Sequence, residues 1–270
     1  MSGSGIEISP GSWPQFRILG NLEAESGSGL IRLGGPCEHK LLAVLLLDAG
    51  HAVPLTRLID ALWDDHPPAS ACKLARNAVS RLRRSLSDGG APGLIHTDGS
   101  GYRAVIDSQA LDALVFDAMV TRAEVASGVG KTAEAAALLR SALGLWRGPF
   151  LADLHNQIAC AAGAAWQEKR CAAIETFHDH QLALGRHREI IAELRIFTAE
   201  HPWREHSIAQ LLLALYRSGR RVDALDAYAT FRKHLTREVG LDPGQDLQML
   251  QKRILVADPA LDPPELTRTE

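Results

Sequence analysis

PPASACKLARNAVSRLRRSL, Pro67–Leu86, decides how the rest of the chain is read. Two prolines stop whatever precedes it, Ser70 is placed to cap a helix that starts at Ala71, and Asp88-Gly89-Gly90 ends that helix. At about 100° per residue, Ala71, Ala75, Val79, Leu82 and Leu86 share one narrow sector, with Ala78 at its edge. The opposite side carries Lys73, Asn77, Ser80 and Arg84, flanked by Arg76, Arg81 and Arg83, and no acidic residue falls between Ala71 and Ser87. A solvated helix face normally mixes signs and forms pairs four residues apart, whereas this one offers only repulsion until an outside anion neutralises it. Its side chains also suit a major groove: Arg and Lys reach guanine edges or phosphates, Asn bonds adenine through two hydrogen bonds, and Ser reads either. Double-stranded nucleic acid is the expected partner.

Working outward, the flanks have the elements that would support such a helix. Gln15–Leu33 alternates polar and apolar residues around Ser26-Gly27-Ser28-Gly29, the pattern of short antiparallel strands. Glu38–Leu47 reads as a buried helix ended by Gly50. Pro54 introduces a second helix, LTRLIDALW, with Leu55, Leu58, Ile59 and Leu62 on one face, and the basic helix is the third. Leu94–His96 and Tyr102–Ile106 then form the arms of a β-hairpin around Asp98-Gly99-Ser100-Gly101. Strands, three helices and a closing hairpin, with the third helix basic, make a winged helix-turn-helix.

From about Asp107 the composition turns Ala- and Leu-rich with helical periodicity: 111–127, 132–146, 154–184, 188–199, 203–218, 222–239 and 244–256 are the predicted helices. Gly185 and Gly219 stand 34 positions apart (219 − 185), each between two helices, which is the tetratricopeptide period. The fold class expected is mainly α with small β, an N-terminal winged helix-turn-helix followed by an all-helical tetratricopeptide-like domain. The boundaries are a flexible start at 1–14, the winged helix at 15–107, the helical domain at 108–257 and a disordered tail at 258–270, which is Pro-rich and charged.

Composition fits this organisation. A chain of 270 residues accommodates two ordinary domains, and with 46% hydrophobic and 23% charged residues it reads as globular. The net charge of −3 requires any basic surface to be local. No run of about 18 apolar residues and no secretory leader is found, so a cytoplasmic protein without membrane partners is expected. Cys37, Cys72, Cys160 and Cys171 form no CxxC and read as reduced, buried thiols, with no metal or cofactor expected.

With these elements in place the sequence resembles the Streptomyces antibiotic regulatory proteins, whose DNA-binding domain is of the OmpR type. The likeness lies in Leu41-Leu42-Ala43, in Leu58-Ile59-Asp60-Ala61-Leu62-Trp63, in Val79-Ser80-Arg81-Leu82-Arg83-Arg84-Ser85-Leu86 and in Gly101-Tyr102. Downstream, Leu145–Leu154 (LWRGPFLADL) and the stretch 215–243 (LYRSGRRVDALDAYATFRKHLTREVGLDP) look like the bacterial transcriptional activator domain of the same family. The chain departs from the family at Ala78, where an aromatic residue is common, and at Glu38-His39-Lys40, where an Arg is usual. The resemblance implies a sequence-specific transcriptional activator of secondary-metabolite genes that binds direct-repeat promoter sites as a homodimer and recruits the RNA polymerase holoenzyme.

On that reading Lys73, Arg76, Asn77, Ser80 and Arg84 face the groove, while Arg81, Arg83, Lys40 and the wing residues Thr97, Ser100, Tyr102 and Arg103 hold phosphates. Asp64 and Asp65 are the candidate polymerase contact. A fragment ending near Ile106 is expected to keep half-site recognition. The alternative is a helical-repeat interaction module whose basic helix binds an acidic protein. A third reading, a nucleotide-dependent enzyme, rests on Gly128-Val129-Gly130-Lys131-Thr132, but Val125 stands where a phosphate-binding loop needs Gly, and a helix stands where it needs a strand. His178-Asp179-His180 spans different helix faces and suits no shared ion, and Trp146, Trp166 and Trp203 read as core.

Overall fold

The computed structural model describes residues 14–262; the expected flexible start, except Pro14, and the last eight residues of the expected tail lie outside them. Two compact units form. The first takes the chain up to Thr121 and again Ser141–Arg170; the second takes Arg122–Arg140 and the chain from Cys171 onward.

In the first unit, β1 (Gln15–Arg17), β2 (Glu23–Ser26) and β3 (Gly29–Leu30) make an antiparallel sheet in that order, with Phe16 opposite Ala24. Both residues are buried while their neighbours along the strands are not, as a one-sided sheet requires. Helix α1 (Pro36–Leu47) buries every residue from Leu41 to Leu46, so it runs through the middle of the core. Strand β4 (Ala52–Pro54) leads into α2 (Leu55–Trp63) and then α3 (Ala71–Asp88). A second sheet closes the arrangement in the order β4-β6-β5, with β5 at Ile95–Asp98 and β6 at Gly101–Ala104.

The hairpin strands therefore pair closer to the turn than the sequence indicates, and β4 adds a third strand that no alternating pattern marks. Gly101 explains the fit of that added strand: a Cβ there would lie 2.1 Å from the Val53 carbonyl oxygen. Ser70 stands at the cap position of α3, but its side chain makes no capping bond; its carbonyl accepts the Lys73 and Leu74 N–H groups instead.

Helices α4 (Asp112–Gly128), α5 (Thr132–Leu143) and α6 (Gln157–Ala183) follow. The predicted ends at Trp146 and Leu154 give way to a loop at 144–156. The stretch resembling a phosphate loop is the turn between α4 and α5: Gly130 has φ 79°, and Lys131 pairs with Glu134 at 3.1 Å. Trp146 is buried against Phe116 and Phe150, with Trp166 stacked on Phe150 at 5.4 Å.

The second unit contains α7 (Ile191–Glu200), α8 (Glu205–Arg217), α9 (Arg221–Val239) and α10 (Gln245–Leu255). Gly185 and Gly219, at φ 72° and 76°, end α6 and α8 in the left-handed conformation that glycine adopts without strain. Leu211, Leu212, Leu215, Ala224, Tyr228 and Phe231 all enter one buried cluster, as the 34-residue period implies. Leu261 joins it from a 3-10 turn at Pro259–Leu261, with the Arg217 side chain donating to its carbonyl at 2.7 Å. The ordered chain thus continues into the stretch expected to be tail.

Two further expectations change. Cys72 and Cys160 are exposed, Cys37 is half-buried, and only Cys171 is buried; all four are free thiols. Trp203 is 48% exposed and stacks on His234 at 5.0 Å, so it lies on the surface.

Candidate nucleic-acid interface

Helix α3 is divided lengthwise. Ala71, Ala75, Ala78, Val79, Leu82 and Leu86 are buried, while Lys73, Arg76, Asn77, Ser80, Arg81 and Arg84 are exposed. The split follows from side-chain chemistry, because an alanine- and leucine-lined stripe gains by leaving water and a row of guanidinium groups does not. Ala78 is small where a large residue would have to fit against the core, and it is 2% exposed. Leu74, 42% exposed, adds an apolar tip among the cations.

The candidate residues differ in how free they are. Lys73, Arg76, Asn77 and Arg84 project from the helix with no side-chain partner among the described residues, and Ser80 turns its hydroxyl back to the Arg76 carbonyl at 3.0 Å. Arg81 donates from Nε to the buried Glu38 carboxylate at 2.6 Å. The other oxygen of Glu38 accepts the Gly35 N–H, so one acid caps α1 and anchors α3. Arg83 bends toward the hairpin, donating to the Ile95 carbonyl and to Thr97 Oγ1, both at 3.0 Å, and lying 5.3 Å from the centre of the Tyr102 ring.

On the wing, Thr97 and Ser100 are exposed, Tyr102 and Arg103 are half-buried, and Arg103 is paired with Asp98. The arrangement brings Arg83, Thr97 and Tyr102 together and leaves Ser100 at the hairpin tip. Lys40 stands apart: its ammonium donates to the Leu62 carbonyl at 3.2 Å. Asp64 and Asp65 are also engaged, by the backbone N–H and side chain of Gln157 respectively, each at 3.0 Å.

Residues that sequence reasoning missed tie the opening sheet and the end of α2 to chain far along the sequence. Asp112 accepts the N–H groups of Ile18 at 2.8 Å and Leu19 at 3.0 Å, and Asp153 accepts that of Leu22 at 2.9 Å. Burial pushes the Asp112 carboxyl above its ordinary 3.8, outweighing these N–H groups and the nearby Arg147 charge. Asn156, 3% exposed, donates to the Ala61 carbonyl at 2.8 Å.

Among the described residues, no three His, Cys, Asp or Glu side chains are grouped to hold a metal ion, and no helix is long and apolar enough to cross a membrane.

Comparison with known proteins matches residues 32–104 to the C-terminal domain of transcriptional regulatory proteins and residues 111–255 to the bacterial transcriptional activator domain. Regulatory protein DnrI of Streptomyces peucetius is 34% identical over 92% of this chain and 94% of its own length. Regulatory protein AfsR of Streptomyces coelicolor is 40% identical over 92% of this chain, which spans only 25% of that larger protein. A solved structure of Mycobacterium tuberculosis EmbR, in complex with a low-affinity phosphopeptide, superposes with a TM-score of 0.88 at 33% identity, covering 92% of this chain and 66% of that one. With both domains matched in order and a relative of nearly the same length, the chain belongs to the Streptomyces antibiotic regulatory protein family of transcriptional regulators.

Proposed function

We propose that the protein activates transcription by binding promoter DNA through the exposed face of α3 and the β5–β6 wing. The observation that carries this reading is the acid-free row Lys73, Arg76, Asn77, Ser80 and Arg84, exposed along a helix whose other side is locked in the core. A helix of this width fits the major groove, where Arg bonds guanine, Asn bonds adenine and Leu74 meets thymine methyl groups. Arg81, Arg103 and the wing hydroxyls supply phosphate contacts, with Arg83 and Tyr102 bracing the wing behind them.

One such module covers few base pairs, so two copies of the chain bind side by side on a direct repeat. Family membership supports targets among secondary-metabolite genes, a cytoplasmic location and recruitment of RNA polymerase, with the exposed Asp65 in the turn after α2 as a contact.

Enrichment of duplexes from a random-sequence pool tests the reading. Two like-oriented half-sites spaced by whole turns, about 10 to 10.5 base pairs each, are expected. An inserted half turn, about 5 base pairs, should abolish cooperative binding. Recovery of a pool no different from the input would reject DNA reading and favour an acidic protein as the partner of α3.

A further inference from the structure

The end of α2 is completed by residues from a distant part of the chain. A helix leaves its last four carbonyls without intrahelical partners, and each one here is accounted for. Asp60 accepts the Asp64 N–H at 2.7 Å, and Trp63 accepts that of His66 at 3.1 Å. Leu62 accepts Lys40 Nζ at 3.2 Å, a cation at the negative end of the helix dipole. The buried Ala61 carbonyl is satisfied by Asn156 Nδ2 at 2.8 Å, from 95 positions later.

The traffic runs both ways. Asn156 Oδ1 caps α6 by accepting the Ala159 N–H at 2.8 Å, and Asp64 Oδ1 accepts the first N–H of that helix, from Gln157, at 3.0 Å. Gln157 Nε2 returns a bond to Asp65 at 3.0 Å. Asp64 makes its contact from a backbone of positive φ, 49° with ψ −124°, a conformation that non-glycine residues seldom take. The end of α2 and the start of α6 therefore cap each other, and the exposed turn at 66–70 that leads into α3 departs from this joint.

We propose that Asn156, together with Asp64, is a positioning residue for DNA recognition. The joint fixes where the turn after α2 begins and so sets the entry of α3 into the groove. The proposal rests on the reading of α3 as the DNA-contacting helix. It also gives the acidic turn a role in capping α6 that is separate from any contact with polymerase.

The full chain tests it, with the duplex that the wild type enriches as one probe and a random duplex of equal length as the other. Asn156→Asp keeps the acceptor for Ala159 but removes the donor to Ala61. Asp64→Ala removes the cap on Gln157, while Asp64→Asn keeps an acceptor oxygen on a side chain of the same size.

Asn156→Asp and Asp64→Ala should each weaken binding to the enriched duplex about tenfold and leave the random duplex unchanged, as expected when a buried carbonyl or helix N–H loses its partner. Hydrogen exchange should rise at the amides of Trp63–Leu74, and Asp64→Asn should remain within about twofold of wild type.

Wild-type discrimination and protection in both losing variants would overturn the proposal. So would a parallel loss on both duplexes with loss of helical circular dichroism, which marks a purely structural role. If the wild type itself fails to discriminate the duplexes, the DNA reading falls and takes this proposal with it, an outcome separable from failure of the variants alone.

Discussion

Arg83 of the basic helix and Thr97 of the hairpin are joined by a hydrogen bond of 3.0 Å, and the same guanidinium donates to Ile95 and faces the Tyr102 ring. The helix therefore holds the wing. Arg83→Ala should loosen β5 and β6 by about 1–2 kcal/mol, read as faster amide exchange at 95–104, and weaken all duplexes alike. Arg83→Lys should behave nearly the same, because the ammonium keeps the charge but loses the planar fork. Unchanged exchange in both variants would show that the wing stands without this contact.

The small sheet that opens the first unit depends on residues beyond the hairpin. Asp112 takes the N–H groups of Ile18 and Leu19, Asp153 takes that of Leu22, and the backbone of Arg147 bonds the Leu19 carbonyl at 2.8 Å. A fragment ending near Ile106 loses every one of these partners. Against the expectation from sequence, it should bind half-sites poorly and unfold at lower urea than a fragment ending at Arg170. Asp112→Ala in the full chain should cost about 2–4 kcal/mol in the same unit, since two backbone donors lose a charged acceptor. A stable, DNA-binding fragment ending at Ile106 would contradict this.

In the second unit, burial raises the pKa of the Glu175 carboxyl, but hydrogen bonds from Arg204 and Ser207 and the charges of Arg204 and His206 prevail and hold it below its ordinary 4.5. A depressed carboxyl stabilises the fold above its unfolded value and loses that contribution as pH falls through the folded one. His178, held below its ordinary 6.5 by burial despite the opposing Glu193, acts in the same direction from a higher pH. Helical stability should thus decline from near pH 6.5 and again below 4.5. Glu175→Gln should flatten the lower limb in an acid titration followed by circular dichroism; an unaltered limb would remove Glu175 from the account.

What the sequence made legible was periodic or local. The buried face of α3 matches residue for residue, because one apolar stripe at helical spacing decides it, while on the other face Arg83 turns half-buried toward the hairpin and Leu74 joins the cations. The glycines at 185 and 219 mark real helix ends. Strand β4 escaped notice because Ala52, Val53 and Pro54 are too few to alternate and exist as a strand only by pairing with β6, some fifty residues on. Lys40 and Asp64 read as surface charges because their work, capping helix ends, lies with chain that is distant in sequence. Asn156 carries no sequence signal beyond a helix start; its partner Ala61 offers only a backbone carbonyl.

The central claim, that the free face of α3 reads base pairs, is tested most directly by titrating the enriched duplex and a random duplex with wild type and Arg84→Ala at several salt concentrations. Arg84 is exposed and has no partner among the described residues, so its removal leaves the fold unchanged. The account predicts a loss of about 1–3 kcal/mol on the enriched duplex alone, with relaxed preference at one base position. Equal affinities of wild type and variant for the enriched duplex at every salt concentration would contradict it.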